Sequence, residues 1–236
     1  MKKLGIIGAM SVEVEHLKAQ LQNITCKNVA GMDFYEGILE GTPVVVVVCG
    51  VGKVNAALCA QALCDCFSVT HIVNTGIAGS LCAELDIGDF VISRDAMYHD
   101  FTCQGLNPAY KVGQVPDLPV LSFPADETLQ ALSRKAAEAV HPGHSRVGRV
   151  ASGDQFVSNP DLKDAIIRNT GALCTEMEGA AIAHAAWKNG VPFVVIRAIS
   201  DKADGSAHMD YPTFEALAAK RSAAVTAMLA KELSSL

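Results

Sequence analysis

The stretch 173–201 constrains the fold more than any other part of the 236-residue chain. Residues 173–175 are apolar enough to end a strand. Residues 177–187 then repeat small and apolar side chains at helical spacing, up to the stop signal Lys188-Asn189-Gly190. After Pro192, the run Phe193-Val194-Val195-Ile196 has the unbroken apolar character of a parallel strand buried on both faces. A strand, helix and strand in this order deliver two acids, Glu178 and Asp201, to the carboxyl edge of one sheet, where open α/β sheets bind ligands. Each acid also has a plainer use. An Asp after a buried strand caps the next element, and a Glu at a helix start answers the helix dipole.

The rest of the chain repeats the pattern. Residues 4–9 read as a buried strand ending in a Met10-Ser11 turn. Ser11 is expected to cap a helix with Glu13 in its first turn and Val14, Leu17 and Leu21 on its inner face. Residues 34–39 and 43–48 read as strands of a hairpin turning through Glu40-Gly41-Thr42. Cys49-Gly50-Val51-Gly52-Lys53 opens a helix to residue 66. It is only loosely like a phosphate loop, since Val54 follows the lysine where Ser or Thr is needed. No G-x-G-x-x-G occurs. Further strands fall at 71–75, 90–96 and 149–151, and further helices at 125–140, 161–169 and 211–233. Residues 98–123 form a long irregular loop of the kind that serves as a lid, a binding loop or an oligomer contact. The order is mostly β-α alternation with one hairpin. It implies an α/β fold, a single domain over 1–236 with a mixed, largely parallel central sheet flanked by helices.

Composition excludes several functions. Half of the residues are hydrophobic, enough to bury a sizeable core. The net charge of −6, with no basic run, argues against a nucleic-acid surface. The densest apolar run, 44–48, is too short to span a bilayer, so no membrane partner is expected. Lys2 and Lys3 hint at a signal peptide, but Glu13 and Glu15 follow after an apolar stretch of about seven residues. The expected location is cytoplasmic. Most of the eight cysteines sit in apolar segments as small core residues. Cys64-Asp65-Cys66 lacks the further ligands of a zinc site, and His141-Pro142-Gly143-His144 reads as a loop without nearby acids or thiols. No metal, disulfide or cofactor is expected.

Taken together, several motifs resemble one family. They are Gly8-Ala9-Met10 with Glu13, Asn74-Thr75-Gly76-Ile77-Ala78-Gly79, Ser152-Gly153-Asp154 with Phe156, Glu176-Met177-Glu178, and Arg197-Ala198-Ile199-Ser200-Asp201. In order and at similar spacing along nearly the whole chain, they resemble the 5′-methylthioadenosine/S-adenosylhomocysteine nucleosidases of the nucleoside phosphorylase superfamily. The resemblance implies hydrolysis of the bond between adenine and a 5′-thio-substituted ribose through an oxocarbenium-like transition state, by analogy with glycosidases. It implies Asp201 as the acid for the purine, Glu13 as the base for water, and Glu178 on the ribose hydroxyls. Met177 would pack on the sugar, Phe156 stack on adenine, and the Val157 backbone read its edge. Met10, Val51, Ile77, Ala78, Gly79, Glu176, Ser200 and Tyr211 would complete the substrate pocket, and Arg197 would order the acids or form a structural ion pair.

The resemblance further implies a homodimer with the 98–123 loop near the interface. Three features depart from the family pattern. Ile77 stands where some members carry a hydroxyl, Tyr211 stands where Phe is frequent with its hydroxyl free to reach ligand or solvent, and the loop 101–116 diverges. The alternatives are a futalosine or aminodeoxyfutalosine nucleosidase, a phosphate-dependent purine nucleoside phosphorylase, and a non-catalytic nucleoside-binding protein. Glu13 without an Arg in the first βα turn disfavours phosphate.

Overall fold

Successive side chains of a strand serve opposite faces of its sheet, and the apolar runs of this chain divide accordingly. The computed structural model describes residues 2–235, so Met1 and Leu236, the ends of the expected domain, lie outside the described residues. In β1 (Leu4–Gly8), Leu4 and Ile6 join one core cluster and Ile7 the other. After α1 (Ser11–Lys18), β2 (Gln22–Val29), β3 (Met32–Leu39) and β4 (Thr42–Val48) form an antiparallel meander, and β4 returns parallel to β1. The β4 valines divide in the same way, Val45 and Val47 to one side, Val44 and Val46 to the other.

The chain continues with α2 (Lys53–Phe67), β5 (His71–Ser80), β6 (Phe90–Tyr98), β7 (Phe123–Pro124), α3 (Glu127–Val140) and β8 (Ser145–Ser152). It ends with α4 (Pro160–Thr170), β9 (Cys174–Glu176), α5 (Gly179–Lys188), β10 (Phe193–Asp201) and α6 (Ala207–Ser234). Helices α2 and α5 cover one face of the sheet, and α1, α3 and α6 the other. None of the described helices is long and apolar enough to cross a membrane.

The sheet is mixed, with long parallel ladders at its centre. β5 pairs with β10 along most of its length. Its other side pairs with β1 over His71–Asn74 and with β9 at Gly79 and Ser80. Because β9 continues to β8, β8 to β6 and β6 to β10, five strands close into a ring.

Several details differ from the sequence reading. β9 runs antiparallel to β5, which β10 parallels, so 173–201 is not a parallel strand–helix–strand unit. Its two acids converge all the same, because Gly79 is flanked by Thr175 on one side and Asp201 on the other. β2 was not expected: residues 22–28 are exposed throughout and show no apolar alternation. Ser11 does not cap α1. Met10 is the N-cap, and the Glu13 side chain reaches back to accept the amides of Ala9 and Met10. Helix α6 begins a turn before Tyr211, with Pro212 in its second turn. The loop of His141 and His144 is not remote from acids. The parallel register of β6 and β8 pairs Phe90 with Ser145, and so sets Asp89 Oδ1 2.7 Å from His144 Nδ1.

Phe34 is fully buried and stacks on Phe67 with 4.6 Å between ring centres, joining the meander to α2. Phe34→Ala should cost about 3–5 kcal/mol of unfolding free energy, read as a lower denaturant midpoint. An unchanged midpoint would show that the hairpin contributes nothing to the main core.

Candidate active site

A hollow of about 400 Å³ opens where β1, β5, β9 and β10 end. Glu13 enters it from the first turn of α1. Its Oε2 accepts the amides of Ala9 (2.7 Å) and Met10 (2.9 Å), and its Oε1 that of Ile77 (3.2 Å). The carboxyl fits only because residue 76 is glycine, since a Cβ there would lie 2.5 Å from Oε1. Burial pushes the Glu13 pKa above the ordinary carboxylate value, although Arg197 and the three amides pull the other way.

Asp201 is the last residue of β10 and is buried. Its Oδ1 accepts the Ala203 amide and its Oδ2 the Ser200 hydroxyl, both at 2.8 Å. Here too a glycine makes room, for a Cβ on Gly79 would lie 2.8 Å from Oδ1. Desolvation raises this carboxyl's pKa as well, with smaller help from Asp210 and Asp204. Glu178 precedes α5, and its Oε1 accepts the Gly52 amide at 2.8 Å. Gly52 sits at φ +99°, a backbone setting that favours glycine. Burial, then the charge of Glu176, pushes the Glu178 pKa up to about 8.

Glu176 lines the hollow, but its carboxyl is occupied elsewhere. Oε1 accepts the Ser152 hydroxyl, and Oε2 accepts the amides of Gly179 (2.8 Å) and Glu178 (3.2 Å) together with the Arg197 guanidinium. Arg197 stands behind it with 2% of its surface exposed and also reaches the Asn74 side chain and carbonyl. Of the residues expected in the pocket, Arg197 alone is not on its wall. Its place is the buried floor, where it pairs with Glu176. Burial disfavours its charge, but Glu176, Glu13 and Glu178 outweigh that and raise its pKa.

The remaining wall is largely apolar. Met10, Val51, Ile77 and Met177 line it, as do Phe156 and Val157, and Ala78, Gly79 and Ser200 complete the β5 and β10 side. Phe156 is 46% exposed at the rim, edge-on to Tyr211 with 5.5 Å between ring centres. The Tyr211 hydroxyl, which the sequence leaves able to reach ligand or solvent, has a partner on its own helix. It donates to Glu215 Oε1 at 3.0 Å and lies 3.4 Å from Met10 Sδ. Ala9, Gln155 and Thr175 also line the hollow, while Asn74 and Ser152 hold its floor. Nothing in the sequence gave these five separate roles, although Ala9, Asn74 and Ser152 stand inside the motifs. Among the described residues, no Lys, Arg or His lines the hollow.

An α/β sheet with acids in a hollow at its strand ends is a common setting for enzymes acting on small molecules. The chain belongs to the phosphorylase superfamily, whose family model matches residues 3–231. Within it, the chain is 41% identical over 224 residues to the 5′-methylthioadenosine/S-adenosylhomocysteine nucleosidase of Halalkalibacterium halodurans, a match covering 94% of this chain and 95% of that one. The Neisseria meningitidis enzyme of the same name, solved with methylthio-immucillin-A, superposes with a TM-score of 0.94 at 34% identity, covering 98% of this chain and all of that one. The futalosine hydrolase of Helicobacter pylori superposes with a TM-score of 0.92 at 30% identity, each chain covered to 98%.

Removing the floor cation leaves Glu176 buried without its partner. Arg197→Met should therefore lower the unfolding free energy by about 3–5 kcal/mol, measured by denaturant titration. A loss below about 1 kcal/mol, the range of an exposed ion pair, would show that the pair does not hold the site.

Proposed function

We propose that this chain, acting as one domain, is an N-glycosyl hydrolase. It releases adenine from 5′-methylthioadenosine and S-adenosylhomocysteine, with 5′-deoxyadenosine as a further substrate. The observation that carries the reading is the meeting of Glu13, Glu178 and Asp201 in one apolar hollow, each with a pKa raised by burial and no basic side chain on the wall. Raised carboxyl pKa values in a cleft are the mark of acid–base chemistry.

The chemistry follows from the placement. Asp201 retains a proton to a higher pH than an ordinary carboxyl and gives it to the purine's imidazole nitrogen. The C1′–N bond breaks with its electron pair going to adenine. Glu13 takes a proton from water as the water oxygen bonds to C1′, and its raised pKa makes it the stronger base. Glu178 faces the ribose hydroxyls, and positive charge growing on the sugar favours its ionised form. Phe156 stacks on adenine and Met177 packs on the sugar. Phosphorolysis would bring a phosphate against these acids without a cation on the wall, and the wall's composition therefore supports water as the acceptor.

The likeness to futalosine hydrolase supports one rival, the same bond cleavage on a nucleoside with another 5′ substituent. The deciding measurement is adenine or base release from methylthioadenosine, adenosylhomocysteine, 5′-deoxyadenosine and futalosine-type nucleosides, with and without phosphate. Phosphate-independent release from the first two is expected, and release from futalosine alone would replace the assignment.

Asp201→Asn should lower kcat at least 100-fold, in line with the loss of a general acid. It should also be no less stable than the wild type at pH 8. An acid whose folded pKa exceeds its unfolded value destabilises the fold once the pH passes the unfolded value, and Asn removes that cost. In the wild type, kcat/KM should fall as pH rises through the Asp201 pKa and as it drops through that of Glu13. Glu13→Gln should bind nucleoside and hydrolyse it slowly. Full activity in either variant would move the acid or the base to another residue.

The proposal includes a homodimer and a cytoplasmic location. Val51 just before α2, with Val54 and Leu58 one turn apart on its first turns, is exposed beside the hollow, and Leu106 is exposed on the 98–123 loop. Such a patch supports pairing of two copies. Sedimentation at micromolar concentration should give twice the chain mass, and Leu58→Lys should shift it toward the monomer. A wild-type monomer would remove the dimer from the proposal.

A further inference from the structure

Away from the hollow, the entry of β6 and the turn between α3 and β8 bring together three side chains that the proposed reaction does not use. One ligand atom each from Asp89, His141 and His144 lies within 4.8 Å of the others. Asp89 is buried, His141 half-buried, and the His144 side chain 47% exposed. The two imidazoles lie face to face, 3.8 Å between ring centres and 6° from parallel. His144 Nδ1 is 2.7 Å from Asp89 Oδ1, while His141 Nδ1 is buried and has no hydrogen-bond partner among the described residues. A buried polar atom left unpaired is costly and calls for an explanation.

We propose that these three residues form a binding site for a divalent transition-metal ion of the zinc class. Two imidazoles and one carboxylate suit such an ion, which takes nitrogen and oxygen donors at about 2.0–2.2 Å and leaves a fourth position to water. Calcium and magnesium, which favour all-oxygen shells, do not match this donor set. The surroundings hold the donors in place as the outer shell of a metal site does. Asp89 Oδ2 accepts the Asp86 amide at 2.9 Å, which turns Oδ1 toward the histidines. Glu138 accepts the Gly143 amide (2.8 Å) and the Ser145 hydroxyl (2.5 Å), bracing the turn from below. The Phe90 amide donates to the His144 carbonyl at 2.8 Å and ties the turn to β6.

Because an imidazole binds a metal in its ring plane, bringing all three donors to one ion requires the His144 ring to turn out of the stack and the donors to close in by about an ångström or more. The exposed His144 side chain and the turn at Gly143, with φ +78°, leave room for that movement. Bound there, the ion would fasten the end of α3 and the start of β8 to β6. The Asp89 carbonyl also accepts the Ile199 amide at 2.9 Å, so the fastening reaches β10. Without an ion, Asp89 and His144 share a hydrogen bond and His141 stacks on His144.

The test uses tag-free, reduced full-length protein titrated with zinc chloride, and the variants Asp89→Asn, His141→Gln and His144→Gln. Each variant should lose one equivalent of bound zinc, or weaken it at least tenfold, and zinc should raise the Tm of the wild type alone. With cobalt(II) chloride, the wild type should show visible d–d bands without a thiolate charge-transfer band. Equal zinc stoichiometry and equal Tm shift in wild type and His144→Gln would overturn the site, as would a thiolate spectrum, which would assign the ion to cysteines. His144→Gln decides the matter if Asp89→Asn does not fold, because its side chain faces solvent. Adenine release is not used as a readout, so the outcome is independent of the activity proposed above.

Discussion

Arg197 carries a full charge at a depth where water does not reach, and moving such a group out of water costs several kcal/mol unless it is answered by charge and hydrogen bonds. The answer comes from two other strands. Asn74 belongs to β5 and Glu176 to β9, and both bond the guanidinium. Glu176 in turn takes the hydroxyl of Ser152 at the end of β8 and the first amides of α5. Ser152 itself accepts the Ala180 amide at 2.7 Å. One ion pair therefore ties β5 and β10 to the ends of β8 and β9 and to the start of α5, next to Glu178.

The same cation acts on the acids from behind the wall. It lowers the pKa values of Glu13 and Glu178 against a larger upward push from burial. Asp201 is different: no basic group offsets its desolvation, and its partners are one amide and one hydroxyl. Two carboxyls in one hollow are thus given separate environments, the condition for one to donate a proton and another to accept one. Glycines 76 and 79 leave the volume that the Glu13 and Asp201 carboxyls occupy, so both acids depend on residues that contribute no side chain.

The alternation of strands and helices, the buried run before Asp201 and the three acids were all legible in the sequence, because apolar periodicity and strand-end motifs are local signals. Where the signal was not local, the reading failed. β2 pairs only at the sheet edge and buries almost nothing, so no alternation marks it. The direction of β9 depends on its pairing with β5 across almost a hundred residues, which three strand residues cannot specify. The Glu215 partner of the Tyr211 hydroxyl was available as an i, i+4 pair on one helix, a signal that went unused. Asp89 and His144 meet only because β6 and β8 lie side by side in register, a relation that no spacing along the chain reveals.

Among the described residues, the ring of strands on one side of the sheet leaves only the two-residue β7 as an edge there, and the opposite margin is β2. Along it the side chains are mostly polar, including Gln22, Asn23, Thr25, Lys27 and Asn28, and the pairing with β3 shifts register between Gln22 and Thr25. A polar margin interrupted in this way resists being extended by a strand from another molecule. Fibrous self-association, the ordinary hazard of a chain so rich in valine, is thereby blunted at the longest border of the sheet.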